Sequence, residues 1–186
     1  MKKLFAFSIM LCTVLAALAD AKIQNGSMIN LKDPNARVLI TWDYSRMLIE
    51  DKTPEAFLAE KGADWQRDYP AEVAAGESAF ATKFNKKNKK YALITDDDMA
   101  AQYEIVFHVD KFNYGSTATA ILFGGFSRGA SIEGRGEVIN LRTNEVICTF
   151  NYDCSGSSGY SNEARRIMAY EDLAEDVAKL VSKAKK

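Results

Sequence analysis

The chain has 186 residues, 47% of them apolar and 26% charged, with 11 glycines, 3 prolines, 3 cysteines and one histidine. Those values exclude a disordered tail, a collagen-like rod and a disulfide-dense miniprotein, and a single domain of this length buries a core without staples. A formal net charge of −1 supplies no basic field to recruit nucleic acid, and one histidine excludes a multi-histidine metal site within one chain.

The first twenty-one residues read as a secretory signal peptide. Lys2 and Lys3 give a positive start, Leu4 to Leu18 is apolar apart from Ser8 and Thr13, and small-x-small exits follow at Ala17-Leu18-Ala19 and Ala19-Asp20-Ala21. The run is shorter than the roughly 20 apolar residues that span a bilayer. Cys12 is not a lipid-attachment site, because Leu11 precedes it in mid-run where a small residue is needed. Cleavage after Ala19 leaves a net charge of −3 and after Ala21 one of −2. The expected product is a mildly acidic, exported domain over 22–186, with no second hydrophobic span.

Ile29–Leu31, the turn Asp33-Pro34-Asn35-Ala36 and Val38–Tyr44 read as strand, turn, strand, with Met47–Ile49 extending the second strand. Val38, Ile40, Trp42 and Tyr44 alternate with Leu39, Thr41, Asp43 and Ser45, the pattern of a half-covered sheet. Thr53-Pro54-Glu55 starts a short helix that ends near Gly62. A longer helix carries Trp65, Tyr69, Val73, Phe80 and Phe84 on one face, and Pro70 predicts a kink or a fresh start within it. Tyr91–Thr95 is a short strand and Asp96-Asp97-Asp98 a helix start or turn. Tyr103–Phe112 is the clearest strand, with Tyr103, Ile105, Phe107 and Val109 opposed to Glu104, Val106, His108 and Asp110. Ala118–Phe123 is apolar and precedes a glycine-rich passage. Ile132–Leu141 and Val146–Tyr152 form a hairpin around Arg142–Glu145, with Asn144 suited to a left-handed position. The last helix carries Ile167, Tyr170, Leu173, Val177, Leu180 and Ala184, with lysines at its C-terminus.

The order predicts an α+β (α/β) fold: a mixed, mostly antiparallel sheet packed with two to three amphipathic helices in a single layered sandwich. Cys148 and Cys154 are six positions apart, about 20 Å along one extended strand, so two free, partly buried thiols are expected unless the chain turns near Asn151–Asp153.

Gly125-Phe126-Ser127-Arg128-Gly129 matches the nucleophile-elbow spacing G-x-S-x-G, but His108 precedes the serine and no helical pattern follows Gly129. His108, Asp110 and Glu104 share a strand face, an arrangement routine on any solvated sheet. A small periplasmic hydrolase using Ser127 or the His108/Asp110 face is therefore the alternative reading. Asp96–Asp98 lacks the alternation and glycine of a calcium loop. No cofactor and no metal are expected. Lys86, Lys87, Lys89 and Lys90 form a basic run able to touch a polyanion. Ile121, Phe123, Phe126 and Arg128, in and after the apolar glycine-rich stretch, are the candidate partner-binding residues, able to receive a partner strand or a second copy of the chain.

The segments Thr41-Trp42-Asp43-Tyr44-Ser45-Arg46-Met47, Thr53-Pro54-Glu55-Ala56-Phe57-Leu58 and Phe80-Ala81-Thr82-Lys83-Phe84-Asn85, together with Tyr103-Glu104-Ile105-Val106-Phe107 and Ile167-Met168-Ala169-Tyr170-Glu171-Asp172-Leu173-Ala174, resemble exported Bacteroidota proteins of unknown function. The order of elements also looks like small envelope lipoprotein domains, such as activators of penicillin-binding proteins and the periplasmic part of the curli secretion channel. The chain departs from those by lacking an anchoring cysteine. The resemblance implies an exported, periplasmic or cell-surface domain, non-enzymatic, that binds another envelope protein or a glycan.

Overall fold

Alternation at period two builds the sheet. The computed structural model describes residues 20–115, 129–156 and 161–185. Its strands are β1 (Lys22–Gly26), β2 (Arg37–Asp43), β3 (Leu48–Ile49), β4 (Leu93–Ile94), β5 (Tyr103–Asn113), β6 (Ser131–Asn140) and β7 (Glu145–Ser155). Its helices are α1 (Pro54–Lys61), α2 (Ala63–Lys87) and α3 (Asn162–Lys183). The strands form one mixed sheet in the order β1-β7-β6-β5-β2-β4, with β3 also pairing β5. The meander β5–β6–β7 and the β1–β7 pair are antiparallel, whereas β2 runs parallel to β4 and β5. The expected α+β sandwich is thus observed.

Among the described residues α2 and α3 lie on one face of the sheet. Ile105, Phe107 and Val109 of β5 turn toward them and are buried, while Glu104, Val106, His108 and Asp110 face the other way. Phe107 sits at the centre, stacked on Trp42 with ring centroids 4.5 Å apart and edge-on to Phe80, Phe150 and Tyr152. Cys148, Phe150, Tyr152 and Cys154 line the same inner face of β7; both thiols are free and buried.

Helix starts follow from local chemistry. Thr53 accepts a hydrogen bond from the Ala56 amide and Pro54 occupies the first helical position of α1. Ser161 caps α3 by accepting from the Ala164 amide. No helix among the described residues is long and apolar enough to cross a membrane.

Three local expectations are corrected, and one strand appears where none was expected. Ile29–Lys32 is a 3-10 turn, not a strand: Met28 and Leu31, three apart, both insert into the core, which one tight turn allows and a strand does not. Met47–Ile49 does not extend β2 without a break: a turn closed by the Met47 amide on the Tyr44 carbonyl interrupts the run, and β3 then resumes in the same direction, parallel to β5 at Lys111–Phe112, beyond the Asp43–His108 end of the β2 pairing. Pro70 does not break α2, which runs unbroken through it; Gln66 and Pro70 lie on the solvent side, where water satisfies the carbonyl that the missing N–H leaves. The polar segment Lys22–Gly26, without apolar alternation, is an exposed edge strand on β7.

Candidate functional site

Strand β2 ends by directing three aromatic or aliphatic side chains, Ile40, Trp42 and Tyr44, toward α2, and the helix answers with Tyr69, Val73, Glu77 and Phe80. Two grooves result. One, of about 450 Å³, lies between the end of β2, the start of α1 and the first half of α2, with Tyr44, Met47, Pro54, Tyr69 and Val73 among its walls. The other, of about 500 Å³, continues between β2 and α2 past Trp42 and Phe80 to Thr95, Asp96 and Asp98. Ala74 and Glu77 line both, so the two form one cleft along α2.

The floor is rigid. Trp42 is stacked on Phe107 and edge-on to Phe80, and Tyr44 lies parallel to Trp42 at 6.3 Å. The Tyr44 hydroxyl donates to Glu77 Oε1 at 2.8 Å and shares a 2.8 Å hydrogen bond with the Tyr170 hydroxyl. Burial, then the neighbouring Tyr170 and Glu77, pushes the Tyr44 phenol far above its ordinary value, so it keeps its proton. Tyr69 is the half-buried wall between cleft and core; beneath it the Arg166 guanidinium lies 5.0 Å from the Tyr69 ring centroid. Arg166 is fully buried among Tyr69, Phe112 and Tyr114, and its Nη2 donates to the Tyr114 hydroxyl at 2.8 Å. Tyr114 in turn donates to Glu72 Oε2 at 3.0 Å, and burial holds the Glu72 carboxyl above its usual range. Aromatic faces beside carboxylate acceptors can hold a ligand that offers both apolar C–H surface and hydrogen-bond donors.

The other expected sites fare differently. His108 Nδ1 lies 2.8 Å from Asp43 Oδ2, and Nε2 lies 4.0 Å from Glu137 Oε1, so both ring nitrogens face carboxylates on the open sheet face. The hydroxyl and amide of Ser45, then His108, hold the Asp43 carboxyl well below the usual carboxylate range. Asp110 points instead to Arg46 and Arg135, at 3.5 and 4.0 Å. Lys87 is drawn onto Glu175 at 3.1 Å, beside the pair of Lys83 with the same carboxylate at 2.9 Å; Lys86, Lys89 and Lys90 are exposed around the end of α2. Ile121, Phe123, Phe126, Ser127 and Arg128 lie outside the described residues. Sequence reading assigned Tyr44 and Tyr69 to apolar stripes and passed over Glu77; the signal that marks them is the break in each stripe, where a hydroxyl tip ends an apolar row.

No protein family and no curated relative matches the chain. Among solved structures it is similar to the PelC dodecamer from Paraburkholderia phytofirmans, at 14% identity over 86% of this chain and 97% of that one, with a TM-score of 0.48. It is also similar to a neuraminyllactose-binding hemagglutinin homolog from Helicobacter pylori, at 15% identity over 86% of this chain and 89% of that one, with a TM-score of 0.38.

Proposed function

We propose that the chain is an exported, non-enzymatic domain of the cell envelope that binds a glycan in the cleft along α2. The leader over 1–21 supports export. The observation that carries the binding reading is the set Tyr44, Tyr69 and Glu77: two amphipathic rings and a carboxylate anchored by Tyr44. Sugar rings present C–H faces to such aromatics and hydroxyl donors to such acceptors, whereas Glu55, Glu77, Asp96 and Asp98 along the walls oppose an anionic ligand. The hydrolase alternative on the His108/Asp110 face is weakened because Asp110 turns to Arg46 and Arg135 and not to the imidazole; its Ser127 form lies outside the described residues.

Both tryptophans of the chain are Trp42 and Trp65, and Trp42 lines the cleft. A Trp65→Phe variant therefore reports on the cleft by fluorescence. Titrated with chitotetraose and, separately, maltotetraose, it is expected to show saturable binding of at least one, weakened about tenfold or more by Tyr69→Ala or Glu77→Gln. If neither neutral oligosaccharide binds, or both variants bind as the parent does, the reading is wrong.

A further inference from the structure

The far side of α3 carries a second grouping that no expected function uses. Asp172 and Asp176 are four apart on the helix and so project on one face, and that face crosses Cys154 on the inner side of β7. The Cys154 sulfur and one oxygen from each aspartate all lie within 4.8 Å of one another. Cys154 Sγ is 3.5 Å from Asp176 Oδ2. A tetrahedral zinc-like ion with a metal–sulfur distance of about 2.3 Å and a metal–oxygen distance of about 2.1 Å spans a sulfur–oxygen edge of about 3.6 Å. That edge is already at the right length.

Burial makes the grouping unusual. Cys154 is fully buried, and Asp176 is 4% exposed within a helix stripe otherwise built from Leu173, Ala174 and Val177. Packing alone would place an apolar side chain at 176, because a buried carboxylate needs a strong partner. Its present partner is Lys179, whose ammonium sits 2.6 Å from Asp176 Oδ1 on a side chain that is 54% exposed and free to turn outward. Two carboxylates and a thiol thus gather beside the Lys179 ammonium. A shallow groove of about 260 Å³, walled by Lys83, Gly156, Met168, Glu171 and Glu175, opens onto Asp172.

We propose that Cys154, Asp172 and Asp176 form a binding site for a divalent transition ion of the zinc class. The ion takes a lone pair from the Cys154 sulfur and one oxygen from each aspartate; the thiol proton leaves to water, the ion's charge stays unchanged, and water completes the tetrahedron. Lys179 keeps its proton and moves to solvent. Calcium and magnesium are disfavoured because they require more oxygen ligands and no sulfur.

The test uses metal-stripped protein with Cys12→Ser, so that the leader contributes no thiol, titrated with Co²⁺ as the spectroscopic probe. A saturable thiolate-to-metal charge-transfer absorption is expected, retained in Cys148→Ala and abolished in Cys154→Ala. Asp172→Asn, at a half-exposed position that leaves the core intact, is expected to weaken Co²⁺ binding by about tenfold or more. Absence of the band in the parent, its survival in Cys154→Ala, or unchanged affinity in Asp172→Asn overturns the assignment. Should Cys154→Ala fail to fold, the Cys148 and Asp172 variants decide.

Discussion

Arg166 is the residue on which the interior turns. It occupies a helix position where periodicity alone expects a hydrophobe, and the flanking Ile167, assigned to the buried stripe from its spacing, is only half-buried. Among the described residues its Nε and Nη1 have no hydrogen-bond partner, so the aromatic cage and the bond from Nη2 to Tyr114 hold a charge that water no longer solvates. Removing the acceptor and removing the charge should therefore have opposite consequences. Tyr114→Phe leaves the guanidinium buried without its hydroxyl and is expected to cost about 2–4 kcal/mol in urea unfolding. Arg166→Met fills similar volume, leaves Tyr114 its bond to Glu72, and is expected to be neutral or stabilising by about 1 kcal/mol. Equal losses in the two variants would show that the guanidinium is a net stabiliser. Sequence reading missed Arg166 because a cation on an apolar face is indistinguishable from a solvated one until the opposing rings are in place.

At the level of elements, the strong periodicities were legible and the weak ones were not. The β5 alternation, the α1 cap and the β6–β7 turn with Asn144 at φ 56° appear where their residues predict them. β1 and β3 depend on partners distant in sequence and carry no periodicity of their own, whereas the two-residue β4 falls inside the strand expected at Tyr91–Thr95. The glycines of β6 show the same limit. The sequence places Gly134 and Gly136 within the Ile132–Leu141 strand without a reason for them, and the structure sets them opposite Tyr152 and Phe150 in the β6–β7 register. A methyl group at Gly136 would coincide with the buried Phe150 ring, and one at Gly134 would meet the Tyr152 hydroxyl and the His108 carbonyl. These glycines are the sockets for two core aromatics. Gly136→Ala is expected to destabilise by about 1–3 kcal/mol, measured by chemical denaturation, because Phe150 has no room to retreat. Unchanged stability would mean that the ring has an alternative rotamer. The cleft and the Cys154 grouping were hidden for the same reason: each joins residues of a strand to residues of a helix far along the chain.

For the whole molecule, the sum of buried protons sets a limit on the alkaline side. Burial pushes the Cys148 thiol up to about 11 and raises the Tyr44 and Tyr114 phenols beyond the ordinary tyrosine range. Each acid with a raised value holds its proton in the fold after the unfolded chain has lost it. Stability is therefore intact below the unfolded thiol value of about 8.5 and falls as pH climbs toward about 11, with tyrosines adding to the loss above about 10. The urea midpoint is expected to stay level from about pH 7 to 8 and decline above about 9; Cys148→Ala should lessen the first part of that decline, the rest coming from the Cys154 thiol, which burial also raises. A midpoint that stays level to about pH 11 would contradict this account. The sheet order has a consequence in time as well as in space. Strand β1 pairs only with β7, whose residues lie more than a hundred positions later. A ribosome releases β1 first, and its only neighbour emerges late, so the earliest segment of the sheet waits single until nearly everything else has been made. Closing that edge is therefore the last pairing the sheet completes during synthesis, and the pairing that spans the greatest length of chain.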